Sequence, residues 1–99
     1  MRTNKQPFVL TRGGKSGVMC GFLVRKTPTE IVLREARQVW RWRGANTLAD
    51  LSQSGASLMY FTRISDASNL VTLERSDVSA TLVCTADATA NLRKSRWLP

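Results

Sequence analysis

The run at residues 18–24, Val-Met-Cys-Gly-Phe-Leu-Val, constrains the fold most, because it is apolar at every position except Gly21. A strand that is solvated on one face alternates apolar and polar residues, whereas a short continuous run is typical of a strand covered on both faces. We therefore predict a central strand over residues 18–25. Gly21 inside the run indicates a bulge or a sharp bend.

Turn signals divide the chain around this strand into short segments. Residues 13–17 (Gly-Gly-Lys-Ser-Gly) form a turn that joins a short strand at residues 8–11 to the central strand as a hairpin, and residues 26–29 form the next turn. Residues 30–36 fit a strand or a helix, and the β-branched Ile31 and Val32 favour a strand. Further strands are predicted at residues 39–43, 58–61, 70–74 and 78–83, with a loop at residues 65–69.

Capping residues predict two short helices. Asn46 or Thr47 fits the N-cap of a helix over residues 48–54, and Gly55 fits its carboxyl-terminal cap. Thr85 fits the N-cap of a second helix that runs to about Arg93. The predicted fold class is α+β, a single domain over residues 1–99 with a curved, mainly antiparallel sheet or small barrel and two short helices.

Charge is unevenly distributed along the chain. The 99 residues carry 15 Lys and Arg against 7 Asp and Glu, a net charge of +8. Ten basic and two acidic residues lie between the amino terminus and Arg43, residues 44–92 are net acidic, and Arg93, Lys94 and Arg96 follow. This arrangement predicts one anion-facing surface. A set of solvated charges that only prevents aggregation is the alternative.

The residue types needed for most catalysis are missing. The chain has no histidine, its two cysteines are distant, and no close pair of acids stands out, so we expect no enzyme activity, no metal site and no cofactor. Cys20 and Cys84 lie in apolar settings and are expected to be reduced core thiols of an intracellular protein, although a bridge between them stays open. The polar start lacks a signal-peptide pattern, and no apolar run is long enough to span a membrane.

The stretch Gly13-Gly14-Lys15-Ser16 invites comparison with phosphate-binding loops. The spacing of the upstream glycine is wrong and no helix follows, so we interpret it as a hairpin turn. A looser role, in which glycine backbone amides together with Arg12 and Lys15 contact a phosphate, stays open.

The strongest local signal lies at residues 37–43, where three arginines and two tryptophans share seven positions. With a period of two, one strand face would carry Val39, Arg41 and Arg43, and the other Trp40 and Trp42. Arginine forks bind phosphates and indoles stack on bases, but the tryptophans could instead be core anchors. The candidate ligand-binding residues are Arg41, Arg43, Arg37, Trp42, Trp40, Arg12, Lys15 and Arg25.

The chain resembles a family of small uncharacterised proteins of tailed bacteriophages and prophages, and the likeness covers most of its length. The residues that carry the resemblance are Gly17, Val18, Gly21, Leu23, then Arg37, Trp40, Trp42, Gly44, Ala45, Leu48, Leu51, then Cys84, Thr85, Ala88 and Trp97. The chain departs from the family pattern between Thr62 and Asp77 and in its added arginines. The resemblance implies a phage origin and action in the host cytoplasm. It does not point to a particular activity.

Three functional hypotheses follow. The first is a phage counter-defence protein that oligomerises and sequesters an anionic nucleotide signal of the host. The second is an accessory factor that binds nucleic acid, for which the net charge is the main argument. The third is a virion or assembly component whose strand edges and Trp97 make contacts between subunits. The expected partners are thus an anionic ligand and further copies of the chain, with no membrane.

Overall fold

The computed structural model describes residues 6–58 and 61–98. The elements, in chain order, are β1 (Phe8–Gly13), β2 (Gly17–Lys26), β3 (Glu30–Arg41), α1 (Leu48–Ser54), β4 (Arg63–Ile64), β5 (Ser68–Glu74), a 3₁₀ turn (Arg75–Asp77), β6 (Val78–Val83) and α2 (Ala86–Lys94). A curved sheet with antiparallel pairing and two short helices confirms the predicted α+β class.

The strands form one sheet in the order β4, β3, β2, β1, β6, and β5 also pairs with β3. The twelve-residue β3 pairs with β5 along its first half, from Glu30 to Ala36, and with β4 at Val39 and Arg41. One long strand therefore positions two shorter ones along a single edge.

The central strand β2 is covered on both faces around Met19 and Cys20, as its apolar run predicts, but Val24 at the end of the run is 38% exposed. Cys20 packs into a helix-side core that contains Leu51 of α1 and Leu92 of α2. Met19, its neighbour, packs into an inner core that contains Val9 and Leu73 and no helix residue. Because β5 and β6, which lie on opposite edges of the sheet, both contribute side chains to the inner core, the sheet curls around it.

Gly21 does mark an irregularity, but the extra residue lies in the neighbouring strand. Cys20 pairs with Arg37 and Phe22 with Arg34, so β3 has one residue more than β2 over this stretch. Glu35, within this bulge, has a φ of 55°. A Cβ on Gly21 would lie only 3.0 Å from the Arg34 carbonyl oxygen, so glycine is needed for the close approach.

Both helix predictions are confirmed together with their caps. Thr47 Oγ1 accepts a hydrogen bond from Asp50 N at 3.1 Å, and Thr85 Oγ1 accepts one from Ala88 N at 3.1 Å. Gly55 has a φ of 80° and donates its N–H to the Leu51 carbonyl, as expected of a carboxyl-terminal cap. Both helices pack on the same face of the sheet through the helix-side core.

Some boundaries differ from the prediction. β3 continues unbroken through Arg41, because β5 and then β4 extend its pairing. β5 begins at Ser68, inside the predicted loop at 65–69, because Ser68 pairs with Ala36. Of the strand predicted at 58–61, Met59 and Tyr60 lie outside the described residues, and the ends at Leu58 and Phe61 are not in a strand.

The period-two pattern at residues 39–43 also fails. Trp42 packs against the helix-side core together with Val39, whereas Trp40 is 56% exposed. The register shift in the pairing of β3 with β4, between Val39 and Arg41, breaks the alternation that would place the two tryptophans on one face. Within residues 6–58 and 61–98, no helix has the length and apolarity to cross a bilayer.

Candidate anion-binding surface

The chain segment after α2 turns back and runs beside β4. Ile64 N donates to the Arg96 carbonyl at 3.2 Å, and Leu98 N donates to the Thr62 carbonyl at 2.9 Å. Arg63 pairs with Arg41 on one side and with Trp97 on the other. The end of β3, β4 and the tail therefore form three adjacent extended segments.

An aromatic and cationic group crosses these three segments, and we name Trp40, Arg63 and Trp97 the stacking cluster. The two indole centroids are 5.2 Å apart, with an angle of 22° between the ring planes. The Arg63 guanidinium carbon lies 5.4 Å from the Trp40 centroid and 5.6 Å from the Trp97 centroid. Trp40 is 56% exposed and Trp97 is 53% exposed. This is an exposed, electropositive aromatic surface.

A groove of about 530 Å³ adjoins the stacking cluster through Trp97. We name it the tail groove; its lining residues are Arg37, Asp66, Arg93, Lys94, Ser95, Arg96 and Trp97. A second depression, of about 570 Å³, shares Arg37, Arg93 and Lys94 with it and also reaches Glu35. Four cationic side chains against Asp66 make the tail groove electropositive.

Arg37 connects the sheet to the tail. Its Nη1 donates to the carbonyl of Ser95 at 2.7 Å and, more weakly, to the carbonyl of Ser65 at 3.5 Å. Its Nε is buried and has no hydrogen-bond partner. The Arg37 side chain therefore contributes charge to the groove and also holds Ser95, which is itself buried.

The cations of the tail groove differ in how far carboxylates neutralise them. Arg93 makes a bidentate pair with Glu35, through Nε at 2.7 Å and Nη2 at 3.1 Å. The hydrogen bonds from Arg93 lower the pKa of Glu35, and the same contact raises the pKa of Arg93. Among the described residues, neither Lys94 nor Arg96 forms an ion pair. These two charges remain available to an external anion.

The glycine-rich hairpin turn is occupied by an internal anion. Asp77 accepts hydrogen bonds from Lys15 N at 2.8 Å, Ser16 N at 3.0 Å and Ser16 Oγ at 2.9 Å. These bonds lower the pKa of the Asp77 carboxyl. A Cβ on Gly13 would lie 2.5 Å from Asp77 Oδ2, so glycine makes room for the carboxylate. The Gly14 amide, one of the glycine amides of the looser phosphate hypothesis, is also engaged, because it donates to the Asp77 backbone carbonyl at 3.2 Å.

The other predicted ligand residues lie in different places. Arg41 is near the stacking cluster, with its guanidinium carbon 5.9 Å from the Trp40 centroid. Arg43 lies over the Phe61 ring at 5.4 Å, and the half-buried Trp42 packs on the helix-side core. Arg12 is exposed on β1 and Lys15 lies in the hairpin turn.

Arg25 lies near the opposite end of β3. Its backbone pairs with Val32, nine residues from Arg41, which is about 30 Å along an extended strand. Its side chain is 3.7 Å from Glu30. Of the eight candidates, Arg37, Trp40 and Arg41 therefore belong to the surface formed by the tail groove and the stacking cluster.

Several residues of this surface are not among the eight candidates, including Lys94, Arg96, Trp97 and Arg63. Lys94, Arg96 and Trp97 had a signal in the cationic tail and the aromatic near its end. Arg63 had none, because only the pairing of β4 with both β3 and the tail places it beside the two stacked indoles.

The cysteine thiols do not add a nucleophile to this surface. Cys20 and Cys84 are both free, and both pack in the helix-side core. Burial raises the pKa of Cys20 to about 12 and that of Cys84 to about 11, so both thiols are protonated at neutral pH. In the part of the chain that the structure describes, no three His, Cys, Asp or Glu side chains are grouped so as to hold a metal ion.

Comparison with known proteins identifies a family and no function. No curated protein and no solved structure matches the chain. A family model described as "Domain of unknown function (DUF6948)" matches residues 6–92, so it covers the sheet and most of α2 but stops before the cations of the tail. Because the match spans far more than half of the sequence, the chain belongs to the DUF6948 family.

Proposed function

We propose that the protein is a non-enzymatic binding protein whose ligand carries phosphate groups and sits on the tail groove and the stacking cluster. One observation carries the proposal: Arg63 lies 5.6 Å from the exposed Trp97 ring, Lys94 and Arg96 line the groove that Trp97 also lines, and none of these cations forms an ion pair with a carboxylate of the described residues.

The strength of single ion pairs explains why the convergence matters. One exposed ion pair contributes only about 0.2–1 kcal/mol, so a single phosphate on a single arginine would bind weakly. Several cations that contact successive phosphates add up and release counterions from the nucleic acid, which makes the affinity depend strongly on salt. A ligand with several phosphates therefore uses this surface best.

Nucleic acid is the first candidate ligand. The tail groove is open to solvent and continues through Trp97 onto the stacking cluster, so a chain of nucleotides could follow both without being enclosed. The basic tail and the net charge of +8 also favour a polyanion.

Sequestration of a small host nucleotide is the second candidate. The tail-groove volume of about 530 Å³ is within the range of small-molecule sites, roughly 300–1,000 Å³. In this candidate the protein is of phage origin, acts in the host cytoplasm against a host defence, and forms a homo-oligomer that closes the open side of the groove. Tight binding of one cyclic nucleotide with no affinity for oligonucleotides would select it over the first candidate.

A charge-matched pair of double variants tests the proposal. Lys94→Ala with Arg96→Ala removes two cations from the tail groove. Arg25→Ala with Lys26→Ala removes two exposed cations near the opposite end of β3. Affinity for a fluorescein-labelled single-stranded oligonucleotide is measured by anisotropy over a range of salt concentrations.

We expect the groove variant to weaken binding about tenfold or more. The slope of log affinity against log salt should become shallower by about 0.7 for each lost phosphate contact. The Arg25 and Lys26 variant should change both quantities much less. Equal losses in the two variants would mean that binding follows net charge and not this surface, and absence of binding to oligonucleotides and nucleotides alike would favour an assembly role.

A further inference from the structure

We propose that the stacking cluster is a base-stacking surface that makes the protein prefer unpaired nucleic acid over duplex. This inference rests on the proposed function and specifies its ligand. The observation behind it is the exposed, nearly parallel pair of indoles with a guanidinium close to both rings.

The exposure of the two indoles leaves ring surface for a ligand. Each ring contacts the other within the stack, yet Trp40 is 56% exposed and Trp97 is 53% exposed. Large aromatic side chains usually bury most of their surface, so two stacked indoles left half exposed form a surface that a further flat ring can cover. A nucleobase that continues the stack would bury this area whatever its sequence.

Hydrogen bonds to backbone carbonyls hold the stacking cluster in place before any ligand arrives. Arg63 Nε donates to the Leu98 carbonyl at 3.1 Å, and Leu98 N donates to the carbonyl of the buried Thr62 at 2.9 Å. Trp97 pairs with Arg63 and Trp40 lies at the end of β3. Because these segments are already ordered, a base that stacks on them requires little further loss of conformational entropy.

The positive charge of the surface and the accessibility of unpaired bases together point to single-stranded nucleic acid as the ligand. Arg41 and Arg63 flank the Trp40 ring, and Lys94 and Arg96 line the adjoining groove, so phosphates on either side of a stacked base meet cations. In a duplex the base faces are covered by neighbouring bases, and only the phosphates would be available to this surface. An apolar protein partner would have to desolvate these cations, whereas a polyanion is complementary to them.

Two substitutions at Trp40 separate stacking from simple charge attraction. Trp40→Leu removes the ring and Trp40→Tyr keeps an aromatic face, and because Trp40 is exposed neither change opens a core cavity. Each variant is titrated with an unpaired oligonucleotide and with the duplex of the same sequence, and quenching of tryptophan fluorescence is followed in the wild type. Thermal melting confirms that both variants are folded.

We expect Trp40→Leu to weaken single-strand binding roughly 5- to 150-fold, the range for loss of one stacked base. Its duplex affinity and its salt slope should stay close to the wild type, and Trp40→Tyr should retain most of the affinity. The inference is overturned if Trp40→Leu leaves single-strand affinity unchanged, or lowers duplex affinity equally, while loss of Lys94 and Arg96 still weakens binding. If the wild type binds no oligonucleotide at all, the nucleic-acid candidate itself fails.

Discussion

The hairpin turn at residues 13–17 and the tail groove are both rich in groups that attract anions, yet they differ in what satisfies those groups. In the hairpin turn, three donors of Lys15 and Ser16 point to the carboxylate of Asp77, more than sixty residues away in sequence. In the tail groove, Lys94 and Arg96 form no ion pair within the described residues. The first arrangement stabilises the fold, and the second remains available to a ligand.

This difference shows why a motif rich in glycine and cations does not by itself mark a binding site. A donor that is already paired with an internal carboxylate can take an external anion only if the internal contact breaks. The same distinction applies inside the tail groove. Glu35 pairs with Arg93, whereas Lys94, the next residue after Arg93, is unpaired. We therefore expect anion affinity to follow the number of unpaired cations and not their total number.

The largest effect on stability is expected from Asp77→Ala. The change leaves three donors of the hairpin turn without their acceptor and removes the side-chain link between that turn and the start of β6, while the backbone bond from Gly14 N to the Asp77 carbonyl remains. We expect the melting temperature to fall by several degrees while oligonucleotide affinity stays unchanged, as measured by thermal unfolding and anisotropy. Asp66→Ala is the control, because Asp66 lines the tail groove and makes no ion pair there; an equal fall in both variants would refute the structural role of Asp77.

A gain of affinity is expected from Glu35→Gln. This change releases Arg93 from its bidentate partner and adds an unpaired cation to the groove. Affinity for an oligonucleotide should rise about two- to fivefold, since an exposed charge pair contributes roughly 0.2–1 kcal/mol. Glu30→Gln alters the charge equally but releases Arg25 at the far end of β3, so it should change affinity less. A gain of the same size from both substitutions would show that general charge is responsible.

The smallest effect concerns acid stability. The folded-state pKa values of Glu35 and Asp77 lie below their ordinary values of 4.5 and 3.8, because Arg93 and the hairpin amides donate to the charged forms. Their contribution to folding stability is complete above those ordinary values and is lost as the pH falls through the lowered folded-state values. Denaturant unfolding at descending pH should show this loss in the wild type and a smaller one in Asp77→Asn. An equal loss in both would contradict the assignment for Asp77.

Local features of the fold could be predicted from the sequence, and non-local ones could not. The caps Thr47, Thr85 and Gly55 act within a few residues of themselves, and the apolar run at residues 18–24 predicts the burial of Met19 and Cys20 in the two cores. The separation of Trp40 from Trp42 depends on a register shift against β4, a strand of two residues with no pattern of its own.

The candidate site was partly predictable for the same reason. Arg37, Trp40 and Arg41 share one strand, so their spacing in the sequence survives in the structure. The tail joins them through backbone bonds from Ile64 and Leu98 and through the Arg37 side chain, and no sequence pattern predicts these long-range contacts. Asp77 could not be linked to the hairpin turn in advance, because the contact closes a loop of more than sixty residues.

The most direct test of the account is an NMR titration of the ¹⁵N-labelled protein with an unpaired oligonucleotide, in which amide and indole N–H shifts report where the ligand sits. The account predicts that the largest shift changes fall on the indoles of Trp40 and Trp97 and on the amides of residues 37–41, 62–66 and 93–98, with little change at residues 13–17. Shift changes centred on the hairpin turn, or spread evenly over all cationic residues, would contradict it.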